Sequence, residues 1–190
     1  MKGIIFQEFV TMVEANFSLE VADSMMTSST LETGGAYTCV GTYDYHELAE
    51  MVGHLSDASG VATPVLLCTF GEYLFNSLAT RYPDHIKNLT STYALLNVLD
   101  DKIHVDVKKL YPDADLPTFK TVGFDLDSDP AELILLYRSS RPLADLAQGM
   151  IGGAIKHFNE SISVTRKDLP CREGAHTRFT LKKVGHDHAG

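Results

Sequence analysis

The sequence predicts an α+β fold, with helices first and a small antiparallel sheet around one further helix. Three observations carry this. Apolar residues recur every three or four positions through the first two thirds of the chain; after Leu116-Pro117 they recur every two; and a helical pattern returns between strand-like runs at 143–158.

Ile4, Ile5, Phe9, Met12 and Val13 share helical spacing, so a first helix should run to about Ala15. Ser18 can cap a second at 19–26, with Val21 and Ala22 inward. Residues 27–43 are rich in Thr, Ser and Gly and read as a loop, with Gly34-Gly35 as the clearest turn. Asp44 can cap a third helix carrying His46, Leu48, Met51, Val52 and Leu55, and Ser59-Gly60 ends it. Thr63-Pro64 opens a fourth, because a first turn does not need the N–H that proline lacks. Its apolar face is Val65, Leu67, Cys68, Leu74, Phe75 and Leu78, and Tyr82-Pro83 stops it. One long helix should follow from Asn88 or Thr90 through Leu95, Leu96, Leu99, Ile103, Val107 and Leu110, ending before Pro112.

Residues 119–126 and 133–139 alternate like paired strands across the turn cluster Asp127-Ser128-Asp129-Pro130. Pro142 should start a helix with Leu143, Leu146, Ala147, Met150, Ile151, Ala154, Ile155 and Phe158. Strands at 161–165 and 177–184 would complete a four-stranded antiparallel sheet. A length of 190 residues fits one domain, divided into a helical part at about 1–62 and a sheet-containing part at about 63–185.

The formal net charge of -9 opposes binding to nucleic acid, which needs a clustered basic surface. No apolar run approaches the roughly 20 residues of a bilayer span, so no membrane partner is expected. Glu8 interrupts the apolar start and no cleavage site follows, which excludes a signal peptide. Cys39, Cys68 and Cys171 lie far apart and read as reduced thiols of a cytoplasmic protein.

The chemistry concentrates in Tyr137, Ser139 and Arg141. Residues two apart on a strand point the same way, so a phenol, a hydroxyl and a guanidinium project together. Two hydroxyl donors and a five-donor fork suit paired carboxylates, such as the propionates of a haem. Leu133 and Leu135 precede them on the same face, which therefore turns from apolar to polar as a macrocycle with acidic tails requires. Pro142 would also place Arg141 at a helix cap, where free N–H groups favour an anion. His104, beside the ridge of Leu99, Ile103 and Val107, is a candidate iron ligand, although a lone helical histidine is more often a packing residue. Asp100 and Asp101, a turn before it, read as capping or solvating groups.

Several further segments fall in a telling order: Met1-Lys2-Gly3-Ile4-Ile5-Phe6, Phe70-Gly71-Glu72-Tyr73-Leu74-Phe75, and His104 with Val107-Lys108-Lys109-Leu110-Tyr111-Pro112-Asp113-Ala114 and Leu116-Pro117. Tyr137-Arg138-Ser139-Ser140-Arg141 and Gly149-Met150-Ile151 with Gly153-Ala154 complete them. With these, nearly the whole chain resembles the H-NOX family, the haem–nitric oxide/oxygen binding domains related to the haem domain of soluble guanylate cyclase. The resemblance implies haem b (iron protoporphyrin IX) as cofactor, His104 as proximal ligand, and Tyr137, Ser139 and Arg141 on the propionates. It implies that Pro117 and Ile5 press on the ring, and it places Phe9, Leu74, Leu146 and Met150 among the haem-contacting residues. Relatives that hold oxygen carry a tyrosine at the position of Leu146, with polar or aromatic partners at those of Leu74 and Phe9; here none of the three can donate a hydrogen bond, which favours NO and CO over oxygen. Tyr73 and Asn76 are the alternative distal donors.

The resemblance further implies a switch. NO weakens the bond to His104, its helix is freed, the haem flattens against Pro117 and Ile5, and the N-terminal helices shift. No output domain is expected in 190 residues, so the implied partner is a separate histidine kinase or cyclic-di-GMP enzyme. The rival readings are an oxygen or redox sensor, and a haem enzyme with peroxidase-like activity. The latter would want a distal proton-transfer group that the apolar lining lacks, so no catalytic residue is expected. A zinc site known in some relatives would need a cysteine where this chain has Ala144, so Cys171 and nearby His176 are not expected to hold zinc; His186-Asp187-His188 reads as a frayed tail.

Overall fold

The computed structural model describes residues 1–28, 30–122 and 131–184. Four helices come first: α1 (Gly3–Asn16), α2 (Leu19–Ser28), α3 (Tyr45–Ser59) and α4 (Thr63–Arg81). Their caps follow the sequence. Ser18 Oγ accepts the Val21 N–H at 3.2 Å, Asp44 accepts that of His46 at 3.0 Å, and the Gly60 N–H closes α3 on the Ser56 carbonyl. Among the described residues, no single helix is long and apolar enough to cross a membrane.

Phe6, Phe9, Met12, Val13, Leu48, Met51, Leu66, Phe70 and Leu74 make one core where α1, α3 and α4 meet. Val65, assigned to the inward face of α4, is instead exposed, because the face turns through Leu66 and Phe70. Two buried carboxylates have partners, as burial demands. Glu8 on α1 pairs with Arg81 at the end of α4 (2.8 Å), and Glu47 on α3 accepts from Thr33 Oγ1 and the Tyr37 hydroxyl, both at 2.6 Å. The second of these fixes the 30–43 loop over the core.

The predicted long helix is broken. Ser91 caps α5 (Thr92–Val98), a π-helical turn spans Leu99–His104, and α6 (Val105–Leu110) follows. Lys2 Nζ and Thr42 Oγ1 both reach Asp113, at 3.1 and 2.6 Å, tying the start of α1 to the segment after α6.

The sheet has the order β1-β2-β4-β3, antiparallel throughout, from β1 (Thr118–Val122), β2 (Glu132–Ser139), β3 (Ile162–Asp168) and β4 (Ala175–Lys183). Phe119 stands opposite Tyr137 in the register. The expected end of the first strand and its turn, residues 123–130, lie outside the described residues, as does His186-Asp187-His188. Leu133, Leu135, Tyr137, Phe179 and Leu181 form the covered face, packed on α7 (Ala144–His157) and on Tyr93 and Leu96 of α5. Pro142 and Leu143 precede α7 and do not begin it: the Leu143 N–H turns back to the Arg141 carbonyl at 2.9 Å.

Helix α7 therefore has two faces. Ala144, Ala147 and Ile151 meet the sheet, while Leu146 and Met150 meet the helical core. Its contact with α4 is backbone on backbone. A methyl group at Gly149 would lie 2.0 Å from the Cys68 carbonyl oxygen, and one at Gly71 would lie 2.3 Å from that of Leu146. Gly149→Ala must push the helices apart, an overpacking that costs about 1–3 kcal/mol. The expected result is a thermal midpoint lower by about 5 °C, the shift roughly 2 kcal/mol produces at this length. An unchanged midpoint in calorimetry would refute the close contact.

Candidate functional site

His104 ends the π-helical turn with its side chain 18% exposed. Its Nδ1 lies 2.8 Å from Asp100 Oδ1, and the other Asp100 oxygen accepts the Phe119 N–H of β1 at 2.6 Å. A carboxylate only accepts, so the imidazole proton sits on Nδ1 and the Nε2 lone pair is left for a metal. Burial lowers the imidazole pKa, against the opposing pull of Asp100, which favours the neutral form that coordinates. The Phe119 ring lies 5.8 Å from His104 and 5.1 Å from Tyr137, bridging the two.

Alternation along β2 puts Tyr137 and Ser139 on one face, whereas Arg141, expected on the same strand, lies in the turn that follows it. Tyr137 is buried, with Ser139 and Arg141 beside it: burial raises the phenol's pKa while both neighbours lower it. Ser139 Oγ accepts the Arg141 N–H at 3.0 Å. The Arg141 guanidinium donates to the Asp115 carbonyl at 2.9 Å and pairs with its carboxylate at 3.1 Å. Ser140 donates to the same carboxylate at 2.5 Å. Arg141 is thus already turned to a carboxylate, the chemistry a propionate would present. Arg141 does not cap α7, which begins three residues later with Leu143 at its N-cap position.

The third group is apolar. Phe9 and Leu74 are completely or almost completely buried, and Leu146 is 8% exposed. All three belong to one core cluster, with Ile5 and Met150 packed against it. Pro117 lies partly buried just before β1. The imidazole and the carboxylate-binding strip meet through Phe119, and the buried apolar wall belongs to the helical core; these groups are of the types that suit an iron porphyrin with two acidic tails.

Comparison with known proteins agrees. The Haem-NO-binding family model matches residues 2–166.

The chain belongs to the H-NOX family.

Solved H-NOX structures share the fold across the chain. The unliganded Fe(II) H-NOX protein from K. algicida is 33% identical, with a TM-score of 0.88, and the alignment covers 100% of both chains. The H-NOX from S. woodyi in its Fe(II)CO state is 32% identical with a TM-score of 0.80, covering 100% of this chain and 99% of that one. That from S. oneidensis in its Fe(II)NO state is 26% identical with a TM-score of 0.84, covering 97% and 100%. No curated protein matches the chain. H-NOX domains bind haem and act as gas-sensing domains.

Within this H-NOX domain, sequence reasoning missed three residues of the site. The sequence suggests Asp100 as a capping or solvating group, although its four-residue spacing from His104 is a signal for the bond seen here. The sequence marks Phe119 only as the start of a strand, and Asp115 carries no local signal. Cys171 and His176, not expected to hold zinc, line a cavity of about 420 Å³ at one end of the sheet with Ser139 and Ser140.

Proposed function

We propose that this H-NOX domain is a nitric oxide sensor: His104 ligates the iron of haem b, Tyr137, Ser139 and Arg141 hold its propionates, and Pro117 and Ile5 press on the ring. The observation that carries the ligand preference is the wall of Phe9, Leu74 and Leu146, buried together without a hydrogen-bond donor. Bound oxygen is stabilised by such a donor, whereas NO and CO depend on it little. Haem, when bound, supplies an iron with one face open to a diatomic gas.

The protein's part is to hold and to transmit. His104 is fixed by Asp100 to β1 and by the π-helical turn to α5 and α6, so a changed force on its imidazole reaches both elements. Lys2 and Thr42 grip Asp113 beyond α6, which gives movement there a route to α1. Ligand binding shifts this arrangement only as far as one state binds the gas better. The domain is cytoplasmic, and its output is a separate protein, a histidine kinase or a cyclic-di-GMP enzyme. The whole chain acts as one non-catalytic domain, helical at about 1–62 and haem-holding at about 63–185.

The test exposes the ferrous protein to air, CO and NO while the Soret band is recorded. CO and NO should each shift the band and air should yield no stable oxygen complex. A second reading, an oxygen sensor, has one observation in its favour. The Tyr73 phenol packs at the edge of the same cluster and is kept protonated by burial and by the neighbouring Glu8 charge. A stable complex in air would select that reading over the first.

A further inference from the structure

We propose that Asp100 is the positioning residue of the iron ligand, and that it sets how hard His104 holds on against release. This deepens the reading of His104 as ligand and rests on it. Asp100 joins the π-helical turn to β1 through both of its oxygens, one on His104 Nδ1 at 2.8 Å and one on the Phe119 N–H at 2.6 Å. An ordinary surface pair on a helix would leave one oxygen in water and wander between rotamers. Here the strand N–H occupies that oxygen, so the carboxylate is aimed at the imidazole. Both side chains are largely shielded, at 28% and 18% exposure, where a charge-assisted bond is stronger than in water.

The local backbone serves this geometry. A π-helical turn widens the helix where Asp100 and His104 stack, and such turns cluster at functional sites. Phe119, whose N–H holds Asp100, also carries the ring beside His104. One strand residue therefore restrains both partners.

The chemical consequence has a definite sign. A carboxylate accepting the Nδ1 proton fixes the tautomer, points Nε2 outward and raises its basicity as a ligand. With a haem in place, Asp100 would strengthen the hold of His104 on the iron. It would bias the domain toward the attached state and lower the share of molecules that let go of His104 in NO.

The experiment compares Asp100→Asn, His104→Gly and the unaltered holoprotein. The readouts are the iron–histidine stretching band in resonance Raman of the unliganded ferrous state, and the five-coordinate share of the NO complex. Asp100→Asn should move the band to lower frequency, raise the five-coordinate share and release haem roughly tenfold faster, the usual scale of an outer-shell loss at a metal site. His104→Gly should abolish the band. A band that survives His104→Gly would defeat the ligand assignment, and the Asp100 proposal with it. A band lost in His104→Gly but unmoved in Asp100→Asn would overturn the role of Asp100 alone. Should Asp100→Asn fail to load haem, nitrogen-15 NMR of the diamagnetic CO complex of the unaltered protein decides: a slowly exchanging Nδ1 proton on His104 is expected, and its absence counts against the proposal.

Discussion

His104→Ala is expected to yield a folded protein that retains haem only when imidazole is added to the medium. The substitution removes the nitrogen left free by the Asp100 bond, while Asp100 can still accept from Phe119 and hold β1 in place. Tyr137, Ser139 and Arg141 are untouched, so the carboxylate grip survives without the metal bond. A small imidazole can enter the space vacated by the side chain and restore an axial nitrogen. Haem retention should fall by more than the roughly 100-fold that outer-shell changes reach. The ratio of Soret to protein absorbance, with and without imidazole, measures it, and circular dichroism confirms the fold. Full loading without imidazole would exclude His104 as ligand.

Leu146→Tyr should give the domain a stable oxygen complex in air. Leu146 lies in the same buried cluster as Phe9 and Leu74, so a phenol there puts a donor into an otherwise apolar wall. A hydrogen bond to a charged acceptor is worth about 2 kcal/mol, or close to 30-fold in affinity. The larger ring costs about 1–3 kcal/mol of packing, which lowers the thermal midpoint without removing the donor. Oxygen titration of the ferrous variant reads the gain. Normal haem loading with unchanged oxygen affinity would mean that α7 presents another residue to the gas.

Local signals were read well from the sequence because their physics is local. Ser18, Asp44 and Gly60 close helix ends within four residues, and the alternation of β2 gathers Tyr137 with Ser139 whatever the rest of the chain does. The break at Leu99–His104 was hidden for a physical reason. Leu95, Leu99, Ile103 and Val107 are spaced by four, a period that suits a π-helical turn as well as an α-helix. The links from Asp100 to Phe119 and from Asp115 to Arg141 join positions 19 and 26 residues apart. Periodicity encodes no such approach. Pro142 misled because its preference for a first turn was outweighed here by the turn that closes Leu143 onto Arg141.

The glycine contact between α4 and α7 has a consequence for how this helix pair can diversify. A side chain at Gly71 would meet the carbonyl of Leu146 itself, so the spacing of the two helices is set by main chain and not by the groups they carry. Leu74 rides on one helix and Leu146 on the other. Those two side chains can then be exchanged while the frame stays put, whereas any bulk at position 71 would force the helices apart.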